Sequence, residues 1–570
     1  MGTLAPAYAP RRPTETVLYG AVRSHLETFL AHTRETYEKP LPRYVEKEFR
    51  SFLKCGVFAH GFARCRCESC GHDLLVAFSC KLRGICPSCS GRRMANGAAH
   101  LVDRVLPDVP VRQFVLSLPF ELRRLAAFKP AVLTALTRIF VETVFASYRA
   151  RAKREGIDGR VECGALTFVQ RFGGSLNLNV HFHTVFLDGV LTRDEQGRVV
   201  FHPAPSPNAA ELQAIVRRVH KRCIAWLRRH GHFDERPLEQ RSNEAGESDA
   251  IGACAAIAMQ RGAFAKLPDE DGDAAGGASD GASTRPRFTA EHEGFNLHAG
   301  VHIAAGDDMG RERLCRYGLR PAMSIERLRR LRDGRIALRV KYASAGRAKH
   351  RVMTPLELLA RLSAIIPPPR FPLLRYHGVL APNSPWRKDV VPKPRVPSPR
   401  CSADDKKKWT KPTEAAAPAT AGPGGSKQPR SARTPAHAQT QPSRTSRKPS
   451  TPSVALQQEQ PTRPAAGPLA PILLASGVLS VHHWDRLLDG LLYAVAGRLN
   501  WQLLLQRTFA IDLRHCPKCH GRMKVISAIH EPDVASAILG CLGMPTEVLD
   551  TARARDPTDD ELDAPGGDVE

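Results

Sequence analysis

The sequence lacks an uninterrupted apolar run that approaches the roughly 18 residues of a membrane-spanning helix. Its N-terminus has no charged region followed by an apolar one, so no secretory signal is expected. It also has no Gly-x4-Gly-Lys-Ser/Thr phosphate loop and no internal repeat. These absences argue against the membrane, secreted and repeat classes and favour a soluble, cytoplasmic protein.

Acidic residues are scarce relative to basic ones. The chain of 570 residues has 83 Lys plus Arg against 57 Asp plus Glu, a formal net charge of +26. Such an excess attracts polyphosphates through counterion release, whatever their sequence. Nucleic acid is therefore the first candidate partner, and a membrane is the disfavoured one.

The length predicts several domains, and two stretches of unusual composition divide the chain. Residues 268–287 are an acidic Gly/Ala/Ser segment, which indicates a loop inserted within a domain. Residues 388–468 are rich in Pro, Ser, Thr, Lys and Arg and poor in aromatics, so a disordered basic linker is expected. The predicted regions are a helical and cysteine-rich region (1–100), a large central domain (101–387), the linker, and a small, mainly helical C-terminal region (469–570).

Cysteines are concentrated near the N-terminus, where seven of the 15 lie between residues 55 and 89. Two Cys-x2-Cys pairs with 15 residues between them fit a structural zinc site with four thiolates. The predicted ligands are Cys67, Cys70, Cys86 and Cys89. Three neighbouring cysteines are alternatives for a single ligand: Cys55, Cys65 and Cys80.

A further Cys-x2-Cys pair, Cys516 and Cys519, lies near the C-terminus. Two thiolates do not complete a zinc site, so two more ligands must come from elsewhere, and His520 and His530 are the nearest candidates. We therefore expect a second zinc site at this position.

Predicted strands and helices alternate between the cysteine-rich region and the linker. The predicted strands are 112–118, 165–171, 175–187, 295–304 and 335–342, and the predicted helices are 130–153, 208–229, 311–319 and 355–367. Gly173 and Gly174 indicate a hairpin between two of the strands. This order predicts an α+β domain whose sheet carries helices on one face.

One predicted strand carries a candidate metal site. Alternation over residues 177–183 places Asn177, Asn179, His181 and His183 on one face, while Val180 and its apolar neighbours face a core. Two imidazoles at this spacing suit a shared metal ion. A polar strand face without a metal is equally compatible with the spacing.

The predicted helix at 311–319 places a phenol among guanidinium groups. At helical spacing Arg313, Arg316, Tyr317 and Arg320 share one face, so the arginines are candidates for phosphate binding and Tyr317 for a covalent nucleophile. A surface cation–π contact is the more common reason for a Tyr beside an Arg.

Three segments occur in the order seen in rolling-circle transposases of the insertion-sequence-91 type: 78–89, 168–183 and 314–321. A closing segment at 375–380 is also similar, and a weaker likeness is present at Cys516. The chain thus resembles this family over roughly residues 30–385.

The resemblance implies a His-hydrophobic-His (HUH) nuclease on an antiparallel sheet, with an N-terminal zinc-binding domain. It implies that His181 and His183 hold Mg²⁺ or Mn²⁺, with Gln170 as the first candidate for a third ligand and His298 as the second. Tyr317 would then attack single-stranded or hairpin DNA at the element ends. The products would be a 5′-phosphotyrosine and a free 3′ hydroxyl, in the bacterial cytoplasm at the nucleoid.

The chain departs from many members of this family in one position. Those members carry two tyrosines four residues apart, whereas here Arg313 occupies the first position and only Tyr317 remains. The sequence therefore resembles the single-tyrosine subgroup. Two alternatives share these features: a zinc-containing DNA-binding protein with a degenerate nuclease domain, and a plasmid replication initiator or relaxase.

Overall fold

The computed structural model describes residues 11–232, 249–260, 263–265, 288–340, 349–392, 472–473 and 515–555. The predicted acidic insertion at 268–287 and all but the first residues of the predicted linker lie outside the described residues. So does most of the C-terminal region before residue 515. The described residues belong to one compact unit.

The helices, in chain order, are α1 (Val17–Thr36), α2 (Arg43–Leu53), α3 (Pro87–Arg104), α4 (Phe120–Phe128), α5 (Pro130–Arg154), α6 (Ala209–Arg229), α7 (Ala250–Met259), α8 (Asp308–Gly318), α9 (Pro355–Ile365), α10 (Arg387–Val390) and α11 (Pro532–Cys541). The strands are β1 (Phe62–Cys67), β2 (Asp73–Ala77), β3 (Val111–Ser117), β4 (Gly164–Phe172), β5 (Leu178–Leu187), β6 (Gly189–Arg193), β7 (Val199–Pro203), β8 (Ala263–Ala265), β9 (Thr289–His292), β10 (Phe295–Ile303), β11 (Leu328–Arg330), β12 (Ile336–Arg339), β13 (His350–Met353), β14 (Leu374–Gly378), β15 (Ile472–Leu473) and β16 (Met523–Ile529).

A six-stranded antiparallel sheet organises the central part of the chain. Its strand order is β14-β4-β5-β3-β10-β9, and β4 and β5 form the hairpin predicted around Gly173. The mixed helix and antiparallel-sheet architecture confirms the predicted α+β class. Local signals positioned the helices as well, since Asn208 and Glu211 form a capping box that starts α6.

One face of the sheet packs against α5 and its neighbours. Phe182 of β5 stacks on Phe140 of α5 with ring centroids 6.4 Å apart, and Phe114 of β3 meets Phe186 edge to face at 5.2 Å. These aromatic side chains are fully buried and belong to the largest hydrophobic cluster of the described residues. The face of β5 that carries Val180 and Phe182 therefore packs in the core, as predicted.

The opposite face of the sheet carries helices too, which differs from the predicted arrangement with helices on one face. Leu166 and Phe168 of β4 and Val185 of β5 pack with α3 and α8 in a second hydrophobic cluster. The reason is that this face is polar only at one end, around the two histidines. Its apolar remainder needs a cover, which α3 and α8 provide.

The N-terminal region has a small sheet of its own, in the order β16-β1-β2. Its outer strand β16 comes from the C-terminal region, which was predicted to be mainly helical; of the described part, only α11 is an α-helix of that region. The boundary predicted at residue 100 lies within α3, which runs from the cysteine-rich region onto the central sheet. Because α3 buries apolar residues on both sides of that position, no break occurs there.

Helix α5 is long and apolar enough to cross a membrane by length and composition alone. Of its most apolar window, 67% is buried inside the protein, where it packs on the sheet. Core helices commonly have this composition.

Candidate functional site: two histidines, a tyrosine and paired cysteine clusters

The two histidines predicted as metal ligands lie side by side on β5. His181 and His183 have ring centroids 4.8 Å apart and are 8% and 4% exposed. Alternation along β5 directs both to the face covered by α8, while Val180 and Phe182 join the core on the other face. The structure therefore places the predicted pair as the alternation indicated.

Burial keeps both imidazoles neutral. Burial lowers the pKa of His181 to about 4 and that of His183 to about 2; desolvation is the largest cause, and the positive charge of Arg320 contributes to both shifts. The backbone carbonyl of Asn179 accepts a hydrogen bond from His181 Nδ1 at 2.8 Å, so Nε2 keeps its lone pair. Neutral imidazoles with a fixed tautomer are the form that binds metal ions.

The ring nitrogens of His183 test whether this pair suits a metal ion. Neither of its ring nitrogens has a hydrogen-bond partner in the described part of the chain, although both are buried. A buried polar group without a partner is costly unless something binds it. The donor set of two neutral imidazoles therefore fits a divalent metal ion.

The two candidates for a third ligand share this face of the sheet. Gln170 of β4 pairs directly with His181, whereas His298 of β10 lies in the row of His183 with Val115 of β3 between them. Gln170 Nε2 donates to the carbonyls of Tyr317 and Gly318 at 2.8 and 3.1 Å, so the side chain also links the sheet to α8. Gln170 is thus nearer to the histidine pair, and its role as a metal ligand stays a prediction.

Tyr317 stands over the histidines near the C-terminal end of α8. Its ring lies 5.2 Å from that of His183 with the planes at 83°, and the side chain remains 39% exposed. At the other end of α8 the Asp307 side chain accepts a hydrogen bond from Gly310 N and caps the helix. A buried Arg311, which pairs with Asp308 and Asp108, fixes the first turn.

Glycine at position 318 permits the close approach of α8 to the sheet. A Cβ built there would lie 2.5 Å from Phe168 Cδ2, well inside van der Waals contact. One residue later, Leu319 fits over Gly97 of α3, where a Cβ would lie 2.7 Å from its Cδ1. Two glycines therefore determine how closely the end of α8, which carries Tyr317, approaches the sheet and α3.

Gly318→Ala is expected to lift the end of α8 from the sheet, since Phe168 is fully buried and has no room to move. We expect a loss of about 1–3 kcal/mol in the free energy of unfolding, measured by urea denaturation. If Tyr317 is the nucleophile, its displacement should slow single-turnover adduct formation by roughly 10–100-fold. Gly91→Ala is the matched control, because a Cβ at that helical glycine of α3 has no atom within 4 Å. Equal effects of both substitutions would contradict the positioning role of Gly318.

The three predicted arginines differ in their surroundings. Arg320 lies 4.9 Å from the Tyr317 ring, which is the cation–π contact that the sequence also suggested, and donates to Gln170 Oε1 at 3.4 Å. Arg316 forms an ion pair with Glu312 at 2.7 Å, and Arg313 is exposed. Of the three, Arg320 is the one whose charge acts on both histidines, and DNA binding by all three stays a prediction.

Sequence reasoning missed Arg123 of α4. Its positive charge acts on His181, and its Nε donates to the carbonyl of Leu118 at 3.1 Å. Arg123 is one of many basic residues in this chain and belongs to no motif, so no local pattern distinguishes it. Together with Arg320 it makes the surroundings of the histidine pair electropositive, which suits a phosphate group.

The predicted four-cysteine zinc site needs correction, because the structure divides those four cysteines between two clusters. The first cluster is Cys55, Cys80, Cys86 and Cys89. The second cluster is Cys67, Cys70, Cys516 and Cys519. Within each cluster the sulfur atoms all lie within 4.8 Å of one another.

The geometry of the β1–β2 hairpin explains the division. Cys67 ends β1, and the five residues of β2 then carry the chain about 16 Å away at roughly 3.3 Å per residue. Cys86 and Cys89 at the start of α3 therefore lie at the other end of the hairpin, where Cys55 and Cys80 complete the set. The two clusters occupy opposite ends of one hairpin.

The histidines suggested as partners of Cys516 and Cys519 are used otherwise. His530 stacks on Phe78 with ring centroids 4.6 Å apart, and His520 has a left-handed backbone (φ 59°) that closes the Cys516–Cys519 turn. Cys65 is buried beside the second cluster but is not one of its four members.

Both clusters fit zinc in their chemistry. The sulfur–sulfur distances given by close pairs run from 3.4 to 3.6 Å, near the roughly 3.8 Å expected for tetrahedral thiolates at 2.3 Å from zinc. Backbone N–H groups of Cys70 and Ser69 lower the pKa of Cys67 to about 6, which favours the thiolate. These sulfur–sulfur distances are much longer than the roughly 2.05 Å of a disulfide bond, and the described cysteines are free thiols.

Comparison with known proteins matches two parts of this chain. Residues 21–118 match a family model described as a transposase zinc-binding domain, and residues 164–388 match one described as a putative transposase. The first region contains the whole of the first cysteine cluster, and the second contains His181, His183 and Tyr317.

A curated relative is the transposase for insertion sequence element IS801 of Pseudomonas savastanoi pv. phaseolicola, which is 28% identical over 197 residues. The match covers 34% of this chain and 43% of that relative, so less than half of the relative's length is spanned. No solved structure matches the chain.

These matches confirm the resemblance to insertion-sequence-91-type transposases that the sequence motifs indicated: the chain is similar to a transposase zinc-binding domain over residues 21–118 and to a putative transposase over residues 164–388.

Proposed function

We propose that this protein is a transposase that nicks and rejoins single-stranded DNA at the ends of an insertion sequence. The observation that carries the proposal is the position of Tyr317, an exposed phenol whose ring lies 5.2 Å from the buried, unpartnered His183. The proposed nucleophile on α8 and the basic side chain of Arg320 thus lie over the face of the sheet that carries the proposed metal-binding pair. The family matches and the net charge of +26 support DNA as the substrate.

His181 and His183 are the residues that would hold the divalent ion, with Gln170 as the proposed third ligand. A bound Mg²⁺ or Mn²⁺ supplies Lewis acidity to a phosphodiester and orients its oxygens. Arg320 and Arg123 add positive charge where the phosphate gains negative charge during attack. The ring of Tyr317 contacts both His183 and Arg320, and these contacts restrict the position of its phenolic oxygen relative to the histidine pair.

In the proposed nicking step the phenolic oxygen of Tyr317 bonds to phosphorus and the bond from phosphorus to the 3′ oxygen breaks. The phenol loses one proton and the departing 3′ oxygen gains one, so charge is conserved. The 5′ phosphate remains as an ester of the tyrosine.

Rejoining is the reverse of nicking with a different strand. A 3′ hydroxyl attacks the phosphotyrosine, restores a phosphodiester and releases the phenol, so no nucleoside triphosphate is consumed. This agrees with the absence of a Gly-x4-Gly-Lys-Ser/Thr loop from the sequence. Because Arg313 stands where many relatives carry a second tyrosine, one chain would hold one DNA end at a time.

The test is covalent capture of DNA. Full-length protein is incubated with a labelled single-stranded oligonucleotide that carries the element's end, with Mg²⁺ or Mn²⁺, and resolved on a denaturing gel. We expect a protein–DNA adduct whose nucleotide is carried by the peptide that contains Tyr317, identified by mass spectrometry, and a released 3′ end that a polymerase extends. The same sequence as a duplex is the control and should give little adduct.

Two outcomes would contradict the proposal. Binding without any adduct would favour a zinc-containing DNA-binding protein with an inactive nuclease domain. An adduct that forms on a plasmid origin but not on the element ends would favour a replication initiator or relaxase.

A further inference from the structure

The second cysteine cluster joins parts of the chain that are far apart in sequence. Cys67 Sγ lies 3.5 Å from Cys519 Sγ across 452 positions, and Cys70 Sγ lies 3.6 Å from Cys516 Sγ across 446 positions. The matched zinc-binding domain ends at residue 118, so it includes only half of this cluster.

The two halves of the cluster have the same backbone geometry. In the N-terminal half, Gly71 has φ +69° and its N–H donates to the Cys67 carbonyl at 3.1 Å, while Cys67 N donates to His72 O at 2.9 Å. In the C-terminal half, His520 has φ +59° and donates to the Cys516 carbonyl at 2.9 Å, while Cys516 N donates to Gly521 O at 2.8 Å. Two equivalent turns therefore present two thiols each to a common centre.

The halves are held in register by the neighbouring strands. Cys67 pairs with Met523 where β1 meets β16, and Glu68 N donates to Arg522 O at 3.0 Å. Gly521 is needed at this junction, because a Cβ there would lie 2.3 Å from Ser69 Oγ and 3.1 Å from Cys67 Sγ. Strand pairing and backbone hydrogen bonds therefore position the two halves of the cluster relative to each other.

Apolar packing around the C-terminal segment is small by comparison. Its buried apolar contacts to the N-terminal region centre on Phe62, Leu75, Ala535 and Leu539, and most side chains of β16 are exposed or half-buried. Beyond α11, Ala552 N donates to Arg23 O and Arg555 N to Thr28 Oγ1. Among the described residues, the pairing of β16 with β1, a small apolar cluster and a few hydrogen bonds attach this segment, and contacts of this extent rarely hold a segment of this size by themselves.

We propose that Cys67, Cys70, Cys516 and Cys519 bind one zinc ion that clasps the C-terminal segment (515–555) to the N-terminal module. Four thiolates in tetrahedral reach of one another are a ligand set of structural zinc. The clasp joins two parts of the folded unit that are more than 400 positions apart in the sequence. Loss of zinc at this site, but not at the first cluster, releases the C-terminal segment.

The test uses the full chain with a protease recognition sequence inserted between Ser476 and Gly477, beyond β15, because β15 pairs with β7 and would hold a longer fragment in place. We expect about two zinc ions per chain by elemental analysis, and the two fragments should elute together from a size-exclusion column after cleavage. In Cys516→Ser/Cys519→Ser, zinc should fall to about one per chain and the fragments should separate. Cys541→Ser, which changes an exposed cysteine of α11 outside the cluster, should behave as the parent protein.

A rescue variant separates loss of metal from loss of folding. Cys519→His retains a zinc ligand and should keep about two zinc ions and joint elution. The clasp is wrong if the fragments of Cys516→Ser/Cys519→Ser stay together, or if that variant keeps both zinc ions. Neither result depends on DNA cleavage, so the clasp and the nuclease proposal fail independently.

Discussion

Tyr317→Phe is expected to abolish the covalent DNA adduct, with a fall in its rate of formation of roughly 10⁴-fold or more. Phenylalanine keeps the ring that meets His183 and Arg320 and removes only the oxygen that would bond to phosphorus. Tyr317 is 39% exposed, so the change removes no buried hydroxyl and should leave the unfolding temperature nearly unchanged. The measurement is single-turnover adduct formation on a labelled single-stranded oligonucleotide at saturating Mg²⁺ or Mn²⁺.

Tyr376→Phe is the matched control. Tyr376 lies on the edge strand β14, packs against the second hydrophobic cluster and has the guanidinium of Arg387 over its ring at 5.5 Å. It therefore resembles Tyr317 in having an arginine neighbour, but among the described residues its ring contacts no histidine ring. Adduct formation by Tyr376→Phe should stay within about twofold of the parent. An adduct of normal rate from Tyr317→Phe would show that another residue is the nucleophile.

The sequence was sufficient for the parts of the site that local patterns determine. Alternation along one strand placed His181 and His183 on one face, and the glycine-marked hairpin placed Gln170 on the neighbouring strand. The position of Tyr317 on a helix followed from periodicity in the same way. Each of these signals spans only a few residues, so no knowledge of the tertiary fold was needed.

The close approach of α8 to the sheet was not predictable from the sequence. Tyr317 reaches His183 only because Gly318 allows α8 to contact Phe168, and a lone glycine at a helix end ordinarily indicates a cap. The layer formed by α3 and α8 was missed for a related reason. The histidine end of β5 suggested a polar face, whereas Val185 and Leu187 further along that strand require an apolar cover.

The grouping of the cysteines depended on contacts of very long range. Each Cys-x2-Cys pair has the same local chemistry, so spacing alone favoured the two pairs nearest in sequence. The actual partner of the Cys67–Cys70 turn is the Cys516–Cys519 turn, which reaches it through the pairing of β16 with β1. Strand pairing across more than 400 positions leaves no trace in local spacing.

His183→Ala is expected to have the next largest effect, a fall in adduct formation of roughly 10³-fold, if loss of the metal removes about 4 kcal/mol of transition-state stabilisation. The same change should weaken Mn²⁺ binding, measured by electron paramagnetic resonance of the free ion. The substitution should also change how the free energy of unfolding depends on pH. Burial lowers the pKa of His183 to about 2, so the unfolded chain binds a proton below about pH 6.5 that the folded protein does not.

That proton determines how the stability of the folded protein changes with pH. The parent protein should lose stability as the pH falls from about 6.5 towards 4, because the unfolded state gains protons in this window, and His183→Ala should lose less. A variant that loses activity without weaker Mn²⁺ binding would place His183 in packing and not in the metal site. Gln170→Ala and His298→Ala then distinguish the remaining ligand. Gln170 pairs directly with His181 on the adjacent strand, whereas His298 lies two strands from His183 with Val115 between them, so only Gln170→Ala should weaken Mn²⁺ binding.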